Sequence, residues 1–126
     1  MGHHHDVITE LRDPTRQLRR TIPGTWTAFG RLHDEAMADG ALPSWCKELM
    51  ALGMAVVKGC DGCMAYHARA AARQGATRAQ VAETLGVALL MDGGSASVHG
   101  PRALEAFDEF AGAQSVGAAR ADAAGG

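Results

Sequence analysis

Residues 48–67 read Glu-Leu-Met-Ala-Leu-Gly-Met-Ala-Val-Val-Lys-Gly-Cys-Asp-Gly-Cys-Met-Ala-Tyr-His, and the rest of the chain is organised around them. Pro43 and Ser44 open a helix that runs to about Val57. Trp45, Leu49, Leu52 and Val56 mark one buried stripe along it. Ala51, Met54, Ala55 and Val57 make its other faces apolar too, so it is expected to be enclosed on nearly all sides. Glu48 is the exception, a carboxylate that is costly there unless something polar meets it. Lys58-Gly59 breaks the helix, and the next one starts at Cys60 or Asp61.

On that second helix Cys60, Cys63 and His67 fall at i, i+3 and i+7, which places them on one face. Two Cα atoms three residues apart on a helix are about 5 Å from each other, inside the range a disulfide tolerates. First-turn N–H groups favour a thiolate, Lys58 assists and Asp61 opposes. The helix terminus favours Cys60 as the thiolate, whereas His67, one turn past Cys63, favours Cys63. Glu48 can return across the Lys58-Gly59 turn to hold or relay the imidazole proton. Glu48, Cys60, Cys63 and His67 are therefore the candidate catalytic residues.

Other chemistry at the same residues is weighed against dithiol redox. Cys60, Cys63 and His67 could bind zinc, but structural zinc usually wants a second ligand pair, and only Glu48, Cys46 and His99 are spare. Haem attachment needs His directly after the second Cys, where Met64 stands. Two inert buried cysteines near a helix start are the bland reading. No resident metal or cofactor is expected. Cys46 reads as a small core residue, and His99 as a helix-start or loop histidine.

Outward from this centre the periodicity is helical throughout and no alternating strand pattern survives. Val7 to Arg20 reads as one short amphipathic helix or two pieces broken at Pro14. Thr21 and Pro23 begin another, with Ile22, Trp26, Phe29, His33 and Ala36/Met37 at helical spacing and Gly40 as its stop. Trp26 and Phe29 are core or subunit contact. After Cys63, Met64, Ala65, Ala68, Ala71 and Ala72 pack inward until Gly75. Thr77 and Gln80 form a capping box that opens a helix carrying Val81, Leu85, Ala88 and Leu89. A final helix spans about 95–111, with a possible reset at Gly100-Pro101. The fold class is all-α: one domain of about six helices over residues 7–111, a tag-like start at 1–6 containing His3–His5, and a flexible Ala/Gly-rich tail at 112–126.

Composition agrees with this plan. The chain has 126 residues, long enough for a single core, and is 47% apolar but only 5% aromatic. Aliphatic side chains must therefore fill that core, which suits close-packed helices. A net charge of −2 and the lack of a basic run beyond Arg19-Arg20 give no electrostatic case for nucleic acid. No apolar stretch of about 18 residues exists, so no membrane span is expected. Three cysteines and no secretory signal place the thiols in a reducing cytoplasm, where a Cys-x-x-Cys pair is usually redox or metal chemistry. The all-round apolar helices at 44–57 and 84–91 exceed what one small domain covers, so a homo-oligomer is expected.

Glu48, eleven residues, Cys60-Asp-Gly-Cys63, three residues, His67 resembles the signature of the alkylhydroperoxidase D-like branch of the carboxymuconolactone decarboxylase family. The resemblance extends through Ala68–Thr77 to Leu90-Met-Asp-Gly-Gly94, and upstream over Phe29–Leu42, covering about residues 24–111. It implies an all-helical fold assembled as trimers or hexamers, and the cysteine pair points to the redox branch. By resemblance, Cys63 attacks a hydroperoxide, Cys60 resolves it and meets the reductant, and Glu48 and His67 form a proton relay. An external dithiol, thioredoxin-like or lipoyl, is the implied electron donor. Gly62 is one departure, since well-studied alkylhydroperoxidase D proteins carry a histidine between the cysteines. Alternative functions from other classes are a thiol–disulfide exchange or redox-sensing protein without peroxidase activity, and a metal-binding structural module.

Overall fold

Six helices and no strand make up the fold among the described residues. This computed structural model describes the backbone of residues 2–125 and the side chains of residues 2–114. In chain order the helices are α1 (His3–Thr21), α2 (Pro23–Met37), α3 (Ser44–Lys58), α4 (Asp61–Arg73), α5 (Arg78–Asp92) and α6 (Gly94–Gly125).

The core lies between α3, α4, α5 and α6. The expected α4 stripe of Met64, Ala65, Ala68, Ala71 and Ala72 is buried throughout, and its small side chains let α6 approach closely through Ala96, Ala103 and Ala106. Leu52 and Val56 from α3 and Val81 from α5 are fully buried against them, each side chain contributing about 1.5–3 kcal/mol. Thr77 caps α5 as its sequence demands: its hydroxyl accepts the Gln80 N–H at 3.1 Å, and the Gln80 side chain accepts the Thr77 N–H at 2.9 Å. Gly59 ends α3 in the left-handed region, at φ 66°, and turns the chain directly into Cys60.

Where the sequence left alternatives open the structure chooses between them, and the expected all-round enclosure of α3 is corrected. α1 is continuous through Pro14, because the carbonyl of Glu10 that loses its partner is on an exposed turn where water replaces the bond. For the same reason α6 runs through Pro101 without a reset, Ser97 being exposed. No residue of α2 is buried, so Trp26 and Phe29 are not core of this chain. Helix α3 is enclosed on one side only, leaving Met54 62% and Trp45 37% exposed. The reason is common to both: apolar periodicity marks faces that shun water, and one chain supplies too few helices to cover them all.

The first turn of the chain is packed rather than loose. His3–His5 form the first turn of α1, and His4 is buried, its Nε2 2.9 Å from Glu105 Oε1 and its backbone N–H donating to Glu109. His5 Nδ1 lies 3.0 Å from Glu109 Oε1, so this turn is tied to α6. The tail expected from residue 112 falls on the last part of α6, and its side chains from 115 onward lie outside the described residues.

Candidate active site

Glu48 and His67 find each other across the Lys58-Gly59 turn. Antiparallel packing of α3 on α4 sets Glu48 Oε2 2.8 Å from His67 Nδ1. Glu48 is only 5% exposed, whereas His67 keeps about a quarter of its side chain in contact with solvent. The carboxylate that periodicity singled out as costly is thus met by one imidazole nitrogen. The other ring nitrogen, Nε2, remains free to exchange a proton with a reacting group.

Cys60 and Cys63 are joined in a disulfide with Cα atoms 5.2 Å apart. Cys60 is not the first helical residue but the N-cap, with extended backbone at φ −90° and ψ 100°. Its sulfur accepts the Cys63 N–H at 3.2 Å, the place a serine or aspartate oxygen usually takes. The shared helical face expected of all three residues therefore holds for Cys63 and His67, while Cys60 stands at the turn before them. An N-cap sulfur facing first-turn N–H groups is well placed to carry negative charge when reduced.

Cys63, His67 and Glu48 open together onto a groove of about 640 Å³ between α2 and α4. Trp26 and Phe29 from α2 and Tyr66 from α4 form its apolar wall. Cys60 is not among the groove's lining residues. Tyr66 and Gln74 could have been found in the sequence, since residues 63, 66, 67, 70 and 74 trace one helical stripe. Trp26 and Phe29 could not, because nothing in the chain says which helix faces α4.

Two neighbours of the pair explain its shape. A side chain at Gly62 would put its Cβ 3.1 Å from Leu11 Cδ1, so α1 lies close over the turn between the cysteines. At Gly59 a Cβ would come 3.0 Å from His99 Nε2, which brings the start of α6 against the turn before Cys60. His99 Nδ1 is buried with no hydrogen-bond partner among the described residues. Cys46 is a free, partly buried thiol. Among the described residues, one group could hold a cation, with an atom each from His3, His4 and Asp61 within 4.8 Å of one another. Cys60, Cys63 and His67 do not form such a group.

A sequence profile of the carboxymuconolactone decarboxylase family matches residues 23–112, most of the chain. The chain belongs to the carboxymuconolactone decarboxylase family. It is 36% identical, with a TM-score of 0.84, to a carboxymuconolactone decarboxylase family protein of Legionella pneumophila solved in its apo form, covering 86% of this chain and 96% of that one. A family member from Thermotoga maritima, for which involvement in antioxidative response has been raised as a possibility, is 26% identical with a TM-score of 0.73 over 86% of this chain and 95% of its own. An uncharacterised protein of Cupriavidus necator is 40% identical over 106 residues, 82% of this chain and 94% of that protein. Uncharacterised protein 4 of the cox locus in Paracoccus denitrificans is 41% identical over 86 residues, 68% of this chain and 78% of that protein. The alkylhydroperoxidase D-like branch of the family is consistent with this membership and with the Cys60–Cys63 pair. No helix among the described residues is long and apolar enough to cross a membrane.

Proposed function

We propose that this family member is an alkylhydroperoxidase-like dithiol peroxidase. The observation that carries the reading is the grouping of Cys63, His67 and Glu48 on one groove, with Cys60 in disulfide contact behind it. In the reduced protein the Cys63 thiolate attacks the outer peroxide oxygen. The O–O bond breaks, the sulfur becomes a sulfenic acid, and the leaving alkoxide takes a proton from the His67 imidazolium to depart as an alcohol. Cys60 thiolate then displaces hydroxide from that sulfur, which leaves as water after protonation, and the disulfide forms. Glu48 holds His67 in orientation through the contact at Nδ1, which leaves Nε2 toward the reacting groups.

An external dithiol, thioredoxin-like or lipoyl, returns two electrons and two protons to the pair, and without it one turnover per chain is possible. Substrate access through the groove favours Cys63 as the attacking sulfur, and Cys60, outside the groove, as the one that meets the reductant. A cytoplasmic setting with reducing partners fits this cycle. We assign the uncovered apolar faces to a homotrimer or homohexamer, since Phe29, Leu32, Met54, Val87, Leu90 and Met91 are each at least 60% exposed. Light scattering tests the assembly, and a monomer contradicts it.

The N-cap position of Cys60 supports a second reading, thiol–disulfide exchange with negligible peroxidase rate, because the helix terminus makes Cys60 the better thiolate. Stopped-flow peroxide consumption by the reduced chain separates the two. The peroxidase reading expects Cys60→Ser to complete one attack and stop at a trappable sulfenic acid on Cys63, and Cys63→Ser to consume nothing. Wild-type rates in both variants refute it. Reduction of a partner disulfide without any peroxide loss favours exchange.

A further inference from the structure

The seam between α1 and α4 gathers positive charge in a chain whose net charge is negative. Arg12 on α1 and Arg69 and Arg73 on α4 line a cavity of about 340 Å³, beside Ile8 and Phe110. Arg12 and Arg69 continue into a neighbouring hollow of about 210 Å³ with Arg16 and Arg19. Arg16 has a partner in Asp13 at 3.2 Å. Arg12, Arg69 and Arg73 form no ion pair among the described residues. His5, on the same wall, is engaged by Glu109.

Arg69 sits 5.4 Å from the centroid of the Tyr66 ring, which fixes its guanidinium without neutralising it. Burial, and then the like charges of Arg73 and Arg12, hold Arg69 below the usual guanidinium range. Guanidiniums that repel one another around a cavity call for an anion, and their forked donors match a carboxylate.

The same two α4 side chains, Arg69 and Arg73, also border the groove that reaches Cys63. Trp26, Phe29, Tyr66 and Ala70 supply apolar surface along the way. Along α4, Arg69 and Arg73 lie six and ten residues beyond Cys63, about 9 Å and about 15 Å at the helical rise. An extended carbon chain of roughly ten atoms spans such a gap.

We infer that the groove, together with the adjoining cavity that shares Arg69 and Arg73 with it, takes one anionic amphiphile: a hydroperoxide carried on an apolar chain whose carboxylate is held by Arg12, Arg69 and Arg73. The peroxide end of this inference rests on the peroxidase reading above; the carboxylate and chain ends do not. A long-chain fatty-acid hydroperoxide fills both requirements. Hydrogen peroxide and short alkyl hydroperoxides reach the thiol without reaching the arginines, so they lack the anchoring.

Calorimetric titration of the oxidised full chain with dodecanoate tests recognition without any peroxide chemistry. One equivalent per chain is expected to bind, at least tenfold tighter than 1-dodecanol and at least tenfold weaker in the Arg12→Gln/Arg69→Gln variant. Equal binding of the alcohol, no binding of dodecanoate, or an unchanged folded variant overturns the inference. So does displacement of dodecanoate by inorganic phosphate at a comparable concentration, which marks a free-anion site. Should the variant not fold, salt decides on the unaltered chain: raising ionic strength from about 0.05 to about 0.5 M is expected to weaken dodecanoate and spare 1-dodecanol. Loss of neither or of both overturns it. Linoleate hydroperoxide is then expected to exceed its methyl ester in kcat/KM. Dodecanoate binding without turnover of any hydroperoxide rejects the peroxidase reading alone and keeps the anion site.

Discussion

His67 Nδ1 stands 2.8 Å from Glu48 Oε2, joining a buried carboxylate on α3 to an imidazole one turn past Cys63 on α4. Neither side chain has another hydrogen-bond partner among the described side chains, so each depends on the other.

Glu48→Gln keeps an acceptor for the ring nitrogen but removes the charge. Peroxide-driven loss of free thiols is expected to slow by about 100-fold, the low end for a disabled proton-transfer group, with little change in stability. His67→Leu instead strands the Glu48 carboxylate and is expected to cost about 2 kcal/mol in urea unfolding. Unfolding measurements on both single variants and the double variant check this, and additive effects would mean that the two groups are not coupled.

Gly59 carries two constraints at once, a left-handed φ of 66° and the His99 ring 3.0 Å from any Cβ added there. Gly59→Ala is expected to destabilise the fold by about 1–3 kcal/mol, the backbone part alone being about 1–2 kcal/mol. In a His99→Ala background the contact part disappears and the backbone part remains. Chemical denaturation of the three variants reads the difference directly.

Thr77→Ala removes the hydroxyl that accepts the Gln80 N–H and leaves one donor at the start of α5 to water. A loss of about 1 kcal/mol is expected, and Thr77→Ser should recover most of it. The cap is far from the cysteines, so thiol oxidation rates of the folded variants are expected to match the parent.

Glu109 supplies a pH signature. Burial pushes its carboxyl up, but the His5 side chain and the backbone N–H groups of His4 and His5 together outweigh burial and hold it below the usual range. A carboxylate depressed in the folded state binds fewer protons there than in the unfolded chain, so its stabilisation is complete above the ordinary value of about 4.3. It fades as pH falls through the depressed value. Unfolding free energy measured across that acid interval should fall less steeply in Glu109→Gln than in the parent. Parallel slopes would show that the contacts with α1 do not act on this carboxyl.

Much of the chemistry was legible because it is local. The capping box, the inward alanines of α4, the Lys58-Gly59 break and the reach between Cys60 and Cys63 each involve residues within a few turns. Glu48 stood out for a simple reason, as a carboxylate on a helix with little else polar, and it proved buried. Cys60 and Asp61 both stood as possible starts of α4, and the structure takes Asp61, with Cys60 as its cap. Spacing alone cannot tell the first residue of a helix from its cap, a difference of one backbone conformation.

The apolar stripes of α3 and α5 are core through Leu49, Leu52, Val56, Val81, Leu85 and Ala88, whereas α2 and the outer faces of α3 and α5 stay exposed. Hydrophobicity reports that a face avoids water, without saying whether this chain or another covers it. The histidines near the start behaved in the opposite way, since a run that looked like an appendage is packed through His4 and His5 onto α6.

By itself, then, the sequence determined the helices, their breaks and the presence of a dithiol with an acid and an imidazole at workable spacing. Only the tertiary structure decided that Glu48 meets His67, that Cys63 opens on the groove, and that Arg12 joins Arg69 and Arg73. Helix formation is governed by neighbours three and four residues away, whereas these meetings depend on how α1 and α3 are laid against α4 and where α2 stands across the groove. That arrangement is set by the burial of small side chains along the whole α4–α6 contact, which no single motif encodes.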